Sequence, residues 1–453
     1  AAAAPRPSPS SDAAKASAMT VLQKIRDAPG HMGCDIGGTL VKMALAIPIE
    51  EAEQCTFPEA FGNTGRAHSH LELDLQMVNG RRFVLRFVSG STSHLELAVQ
   101  HLGLRRKASA KDLLAQAGVD PEDDEPPSCA SAPAACFDSV AAARKVDESP
   151  QHFARCHSDW GGEVFSHSQR TIRRIATAGG GACKLAPLFR DALRVEMEPV
   201  KELSAVVDGL LLLAPHALEA AGTGGSGFAK ITTSSGAAAD LFTILEDGTA
   251  QTLAWPEPLF PLILVNMGSG VSILRVGSAN DNDYVRIGGT ACGGGTFLGL
   301  VRALTSAQTF DEALALAERG DARHADKLVS DIYGEDGCKN LGLPGGLTAS
   351  NFGKLCDDAT AAECSERDLA RSVLQMVTQQ CVLLATAFAQ REGCIDRVFF
   401  VGGFVDEPNI IARKAIAANL RALGGCAYFL RHSDFLGALG SLKCALRALD
   451  ENG

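Results

Sequence analysis

Two short glycine turns define the chemistry open to this chain. Asp35-Ile-Gly-Gly-Thr39 and Gly268-Ser-Gly270 each lie between two apolar, strand-like segments. A phosphate chain is bound well by several backbone N–H groups aimed at one point, and only glycine lets the backbone come that close. Gly37, Gly38 and Thr39 on one turn, with Gly268, Ser269 and Gly270 on the other, could grip a triphosphate across a cleft. Asp35, at the start of the first turn, suits Mg2+ held mainly through water. Lys42, seven residues on, suits neutralisation of phosphate charge. Gly294 and Gly295, in a triplet that opens a helix, would add an anion-binding N-terminus. Gly402 and Gly403, after a buried strand, would accept an adenosine. Any one of these turns is ordinary; the set, in this order, is specific.

The elements that must position them come from a chain of 453 residues, enough for two or three domains. Hydrophobic residues at 46% with 21% charged exclude wholesale disorder. The net charge of −11 argues against a nucleic-acid partner, which needs a basic face. Apolar runs such as 210–215 and 381–389 fall short of the ~20 residues of a membrane span, so none is expected. Fourteen dispersed cysteines without a C-x-x-C pair read as reduced, mostly buried side chains.

Residues 1–30, rich in Ala, Ser and Pro, read as a disordered tail or the remnant of a targeting segment. From Met32 a strand–turn–strand pattern runs to Ala46, with β-rich stretches at 70–73 and 82–87. Residues 105–168 read as a flexible insertion. Cys129, Cys136, Cys156, His152, His157 and His167 within it match no closed zinc spacing. Val200, Leu203, Val206, Val207, Leu210 and Leu211 recur at helical spacing, and 219–256 reads as a Gly/Ala/Ser-rich connection. Residues 261–276 repeat the strand–glycine turn–strand design, and Ser365-Glu-Arg-Asp368 predicts a capped helix start. Strands then helices, twice, predict two α/β lobes around a nucleotide cleft. The N-terminal lobe is 31–188 and the C-terminal lobe 189–453.

The stretches 35–42, 179–184, 265–273, 293–299, 326–334, 342–345, 349–353 and 398–402 together resemble the eukaryotic-type (type II) pantothenate kinases. These belong to the ATPase superfamily that includes actin, sugar kinases and acetate kinase. The resemblance spans about 31–445 outside the insertions. It implies a two-lobed actin-like (ribonuclease H-like) fold, ATP and Mg2+ as cofactors, and phosphorylation of pantothenate to 4'-phosphopantothenate, the first step of coenzyme A biosynthesis. It also implies a homodimer, with dimerisation helices in the C-terminal lobe, and acetyl-CoA or CoA as a feedback inhibitor. The cytoplasm is the expected location, with mitochondrion or plastid the alternative if 1–30 is a transit remnant.

By the same resemblance Glu202, in Glu202-Leu-Ser-Ala-Val-Val-Asp-Gly-Leu-Leu211, is the general base. Helical-wheel spacing puts it about 110° from the centre of the apolar face, on a flank able to reach a cleft. Arg286 is the substrate-site arginine, suited to fork onto a carboxylate or the transferring phosphoryl group. Ser269 and Ser272 would donate hydroxyl hydrogen bonds, Lys42 would meet the γ-phosphate, and Ala349 lies in a segment reaching across the family dimer to the partner's substrate. His432 reads as structural. Departures from the family pattern are Thr177-Ala178 in reversed order, Gly403 in place of Asn, no Trp before Tyr428, and Gly346 and Thr348. Two alternatives stand beside this reading. One is a catalytically silent sensor of coenzyme A thioesters; the other is a sugar kinase, which needs a carbohydrate-reading loop with an Asp base that we do not find.

Overall fold

The computed structural model describes residues 30–93 (without 39, 56, 58–59 and 62–64), 95–96, 99, 174–214 (without 194), 228–233 and 241–450. The N-terminal extension at 1–29, the insertion read at 105–168 and the Cys and His residues singled out there lie outside the described residues.

Alternating apolar residues build two sheets. The first holds β1 (His31–Ile36), β2 (Leu40–Pro48), β3 (Ala60–Phe61), β4 (Gly65–Ala67), β5 (Leu73–Met77), β6 (Arg82–Ser91), β7 (Arg174–Ala178), β8 (Glu196–Pro199) and β9 (Phe228–Thr233). The second holds β10 (Leu241–Ile244), β11 (Ala250–Leu253), β12 (Leu262–Met267), β13 (Val271–Val276) and β14 (Tyr284–Thr290). A separate ribbon of β15 (Lys327–Leu328) and β16 (Thr348–Ser350) precedes the second sheet's last strands, β17 (Val398–Val401) and β18 (Ala427–Leu430). The helices are α1 (Gly181–Leu193), α2 (Glu202–Leu213), α3 (Gly294–Leu304), α4 (Phe310–Glu318), the short α5 (Ser330–Tyr333) and α6 (Asp358–Glu363), α7 (Glu366–Arg391), α8 (Ile410–Ala422) and α9 (Leu436–Asp450).

Both sheets use one topology. In the first, the path β6-β2-β1-β7-β8 sets three antiparallel strands beside two that run parallel to β1. In the second, β14-β13-β12-β17-β18 repeats that pattern. Successive side chains on a strand point to opposite faces, so each sheet buries two layers. Met32, Cys34, Ile36, Val41 and Met43 turn outward onto α1 residues such as Leu185 and Phe189. Ile263, Val265, Met267 and Ile273 turn outward onto α3, α4, α7 and α8. The opposite faces, with Ala44, Ala46, Leu262, Leu264 and Leu274, share one core with α2 and α9. The result is helix, sheet, helix, sheet, helix, with α2 and α9 as the middle layer.

The two middle helices touch backbone to backbone. A Cβ on Gly440 would lie 1.9 Å from the Ala205 carbonyl oxygen, so only glycine allows the approach. This double-sided burial explains why α2 is buried nearly all round from Ala205 onwards, where the spacing predicts one apolar stripe. In α7, Ser365 caps the N-terminus by accepting from the Asp368 N–H at 3.3 Å. Among the described residues α7 is the helix long and apolar enough to cross a bilayer, yet Val373, Leu374, Val377, Cys381 and Ala385 are buried in the outer core.

Three expectations change. Residues 219–256 are not simply a connection: β9 joins the first sheet, and β10 and β11 extend the second. Phe228-Ala-Lys-Ile-Thr-Thr233 and Leu241-Phe-Thr-Ile244 supply β-branched and aromatic residues inside the Gly/Ser-rich surroundings. The sheets therefore divide the chain between 233 and 241, and not at 188. Of the eleven described cysteines, which carry free thiols, Cys34, Cys381 and Cys394 are buried, and the rest are partly or fully exposed.

Candidate active site

Pleat alternation decides where the polar candidates point. Asp35 lies on the face of β1 opposite Cys34 and Ile36, and Lys42 on the face of β2 that carries Ala44 and Ala46. Ser272 shares the Leu274 face of β13. Arg286 would point the other way in a regular ladder. A β-bulge between Ile273 and Leu274 shifts the register so that Arg286 opposes Leu274. Phe388 of α7 fills the bulge, where a Cβ on Gly288 would lie 2.2 Å from its ring. Asp35, Lys42, Ser272 and Arg286 thus all turn towards the middle layer. Glu202 begins the helix within it.

At the first turn, the Gly37 N–H donates to the Leu40 carbonyl oxygen at 2.9 Å and closes the hairpin; Gly38 is exposed at its tip, and Thr39 lies outside the described residues. Asp35 opposes Lys42 in the β1–β2 ladder. Its carboxyl nests against Gly179, where a Cβ would lie 2.8 Å from Oδ1, and against Gly437 at the start of α9, 2.6 Å from Oδ2. Burial pushes the Asp35 carboxyl up, Lys42 pulls it part of the way back, and Asp434 adds to the rise. Lys42 Nζ donates to Asp434 Oδ1 at 2.7 Å, with both side chains largely buried.

At the second turn, the Gly268 N–H donates to the Gly270 carbonyl oxygen at 2.9 Å. The Gly294 N–H donates to the Gly268 carbonyl oxygen at 2.8 Å, and the Gly295 N–H to that of Ser269 at 2.9 Å. The two amides expected to bind an anion at the start of α3 are thus bonded to the hairpin. The triplet packs on the hairpin's own carbonyls, which satisfies buried backbone groups and occupies the amides. Ser269 and Gly270 are exposed at the tip. Gly402, with φ +97°, sits over Asn266 and Met267, and a Cβ on Gly403 would lie 3.9 Å from Lys42 Nζ. The turn expected to take adenosine therefore borders the ion pair of the first turn.

Arg286 Nε donates to Ser272 Oγ at 3.3 Å. The Glu202 carboxyl is pushed up, by burial first and by the charge of Asp35 second, so it lies within electrostatic reach of the first turn. Ser204 Oγ and the Tyr284 hydroxyl, 2.6 Å apart, join the Glu202 helix to the Arg286 strand. Ala349 stands apart on β16, which pairs with β15 and is tied to α7 through Gln375 Nε2, donating to Thr348 Oγ1 at 2.9 Å. His432 is buried, and its Nε2–H donates to the Leu71 carbonyl oxygen at 2.8 Å, in keeping with a structural role.

Two side chains at this site carry no motif signal. Asp434 holds Lys42, and Asp406, four residues after Gly402, hydrogen-bonds Asp434. The signal that could have found them is two acids in the turns that follow the parallel neighbours β17 and β18, since adjacent parallel strands deliver their C-terminal turns to the same edge.

"Pantothenate kinase 1" of Arabidopsis thaliana is 36% identical to this chain over 273 residues, 59% of this chain and 64% of that protein. A "4'-phosphopantetheine phosphatase" of Mus musculus is 35% identical over 287 residues, 61% of this chain and 31% of that protein. The chain thus spans less than two thirds of either relative. Among solved structures, the activator of the 2-hydroxyisocaproyl-CoA dehydratase from Clostridium difficile with bound ADPNP is similar at 12% identity and a TM-score of 0.38, over 93% of this chain and 96% of that one. The sequence model of the Fumble family matches residues 31–443, which takes in both sheets and all the candidate residues: the chain belongs to the Fumble family.

Proposed function

We propose that this chain is a pantothenate kinase that transfers the γ-phosphoryl group of ATP to the 4'-hydroxyl of pantothenate. What supports this above all is the convergence of Asp35, Lys42, Ser272 and Arg286, from both sheets, on the layer that Glu202 opens. The names of the plant relatives supply the substrate. In this reading the exposed tips at Gly38 and Ser269–Gly270 grip the phosphates, and Lys42 neutralises them. Arg286 takes pantothenate's carboxylate or the transferring group. Glu202 accepts the hydroxyl proton, and its raised basicity serves that task.

No three His, Cys, Asp or Glu side chains are grouped to hold a metal among the described residues. Asp35, a single inward carboxylate, fits Mg2+ held through water, which would neutralise phosphate charge when bound. Leu383 on α7 and Ile332, Tyr333, Leu341 and Leu347 are exposed apolar side chains that a homodimer, in which Ala349 meets the partner's substrate, would cover. Feedback inhibition by acetyl-CoA or CoA and a cytoplasmic location belong to the same reading.

One observation favours the silent sensor: a relative of similar identity bears the name of a phosphatase, and this chain matches 31% of it. A phosphorylation assay with pantothenate against a panel of hexoses separates the readings. Pantothenate alone should be consumed, and Glu202→Ala should lower turnover by about a hundredfold or more with ATP binding retained. Binding of acetyl-CoA without ATP consumption, unchanged by Glu202→Ala, would establish the sensor instead.

A further inference from the structure

We propose that the Ser204–Tyr284 hydrogen bond is the pin that sets the first turn of α2, and with it Glu202, against the strand that carries Arg286. The kinetic part of this rests on the kinase reading, and the structural part does not. Ser204 stands two residues after Glu202, and Tyr284 two residues before Arg286. Their oxygens are 2.6 Å apart, a short hydrogen bond between a middle-layer helix and the edge strand of the second sheet.

The first turn of α2 needs such a tie. Its N-cap residue is Lys201, whose side chain makes no capping hydrogen bond. The first amides of a helix have no intrahelical partner, and without a cap the turn opens readily. From Ala205 onwards the helix is held firmly. Gly209 and Gly440 let its backbone meet α9, and Asp208 accepts from Lys443. Ahead of that, Leu203 packs on the shared core and the Val200 N–H donates to the Thr177 carbonyl oxygen at 2.7 Å, and the Ser204 hydroxyl adds the tie that runs to the Arg286 strand.

The strand side has a matching need. Tyr284 packs its ring against the shared core, so its hydroxyl requires a partner at the core's margin. The β14 bulge lies just beyond Arg286, where the ladder no longer fixes the strand's position by regular pairing. One hydrogen bond thus settles two local freedoms, one on each side of the reacting groups. Ser204 and Tyr284 are positioning residues. A misplacement of about 1 Å at a reacting centre costs about a hundredfold in rate.

The test uses the full chain. Ser204→Ala and Tyr284→Phe each remove the hydrogen bond with little change of volume, and Ser204→Thr keeps the hydroxyl. In the first two, kcat for pantothenate should fall about tenfold to a hundredfold with the KM for ATP unchanged. The double variant should be no slower than either single one, and Ser204→Thr should recover most of the loss. Amide hydrogen exchange at residues 205–208, whose N–H groups bond the first turn's carbonyls, should quicken in Tyr284→Phe, whatever the substrate proves to be. Unchanged exchange there, unchanged kcat, or losses that multiply in the double variant would overturn the pin. A wild type that never phosphorylates pantothenate would count against the kinase reading instead, and the exchange measurement would then decide on the pin alone.

Discussion

Asp35 and Lys42 face each other across the β1–β2 ladder, and the corresponding register position of the second sheet pairs Asn266 with Ser272. The glycines that follow the matching parallel strands are just as alike. Gly179, after β7, has φ +86° and would place a Cβ 2.5 Å from the Ile36 carbonyl oxygen and 2.8 Å from Asp35 Oδ1. Gly402, after β17, has φ +97° and would place it 2.7 Å from the Met267 carbonyl oxygen and 2.8 Å from Asn266 Oδ1. One backbone cradle is built twice. The side chain at its head is a charged acid in one sheet and a neutral amide in the other. A triphosphate between the sheets would meet a carboxylate and a lysine at the head of the first cradle, and at the head of the second a neutral amide and hydroxyl, with Arg286 beside the latter. Two carboxylates would repel it, because like charges in a partly buried site interact strongly.

The charge asymmetry is the part of this comparison with the largest consequence. Asp35→Asn makes both cradles neutral, and turnover should fall about a hundredfold, the scale of a lost electrostatic contact at a reacting phosphoryl group. Asn266→Asp makes both acidic and should weaken ATP binding about tenfold, a penalty of about 1.4 kcal/mol. Steady-state kinetics at fixed Mg2+ and calorimetric titration with ATP read the two effects. If Asn266→Asp binds ATP as the wild type does, the division of charge between the sheets has no functional meaning.

The backbone likeness is tested by stability. Gly179→Ala and Gly402→Ala should each lower unfolding free energy by about 1–3 kcal/mol, since both glycines combine positive φ with a carbonyl oxygen closer than a Cβ tolerates. Gly180→Ala, with nothing within 4 Å of the added carbon, should stay within about 0.5 kcal/mol. Urea unfolding of the three variants makes the comparison. A large loss at one cradle and none at the other would mean that the two only look alike.

Local pattern made part of this legible. The two glycine hairpins and the capped start of α7 follow from glycine spacing, apolar alternation and a Ser-x-x-Asp cap, each contained in a short window, whereas Glu202 as the start of α2 comes from the family resemblance and not from its periodicity. The cradle equivalence does not follow, because Gly179 and Gly402 meet their partners through parallel pairings that join residues far apart in the chain. Nor does the occupation of the Gly294 and Gly295 amides: a glycine triplet shows that a close approach is possible and not which acceptor arrives first. The inward turn of Arg286 depends on a bulge opposite Ile273 and Leu274, a register event with no composition of its own. Asp434 and Asp406 look like ordinary turn acids until β17 and β18 bring their turns together.

That acid pair has no counterpart among the described residues of the first cradle, and it supplies the smallest and most specific test. Burial first, then the charge of Asp434 and the hydrogen bond with it, push the Asp406 carboxyl up to about 7. Burial works in the same direction on Asp434, but Lys42 and the hydrogen bond from Asp406 outweigh it and hold that carboxyl low. Burial and the charge of the neighbouring carboxylate thus favour one shared proton on the pair in the acidic range. Between about pH 4 and pH 7 the folded state binds that proton and the unfolded state does not. The stability it contributes is full below the ordinary aspartate range and disappears as pH rises towards 7. His68 acts oppositely in the same window. Pushed down to about 4 by burial first and by Arg66 next, it stabilises above about 6.5 and loses that contribution as pH falls. The wild-type profile is therefore flatter than either group alone would make it. Asp406→Asn removes one contribution that falls with pH, so the slope of stability against pH across this window should be more positive than in the wild type by up to about 1.4 kcal/mol per pH unit. Thermal or urea unfolding from pH 4 to 7.5 measures it. Parallel profiles for the two proteins would mean that the shared proton is not there, and that Lys42 faces two ionised acids and not one.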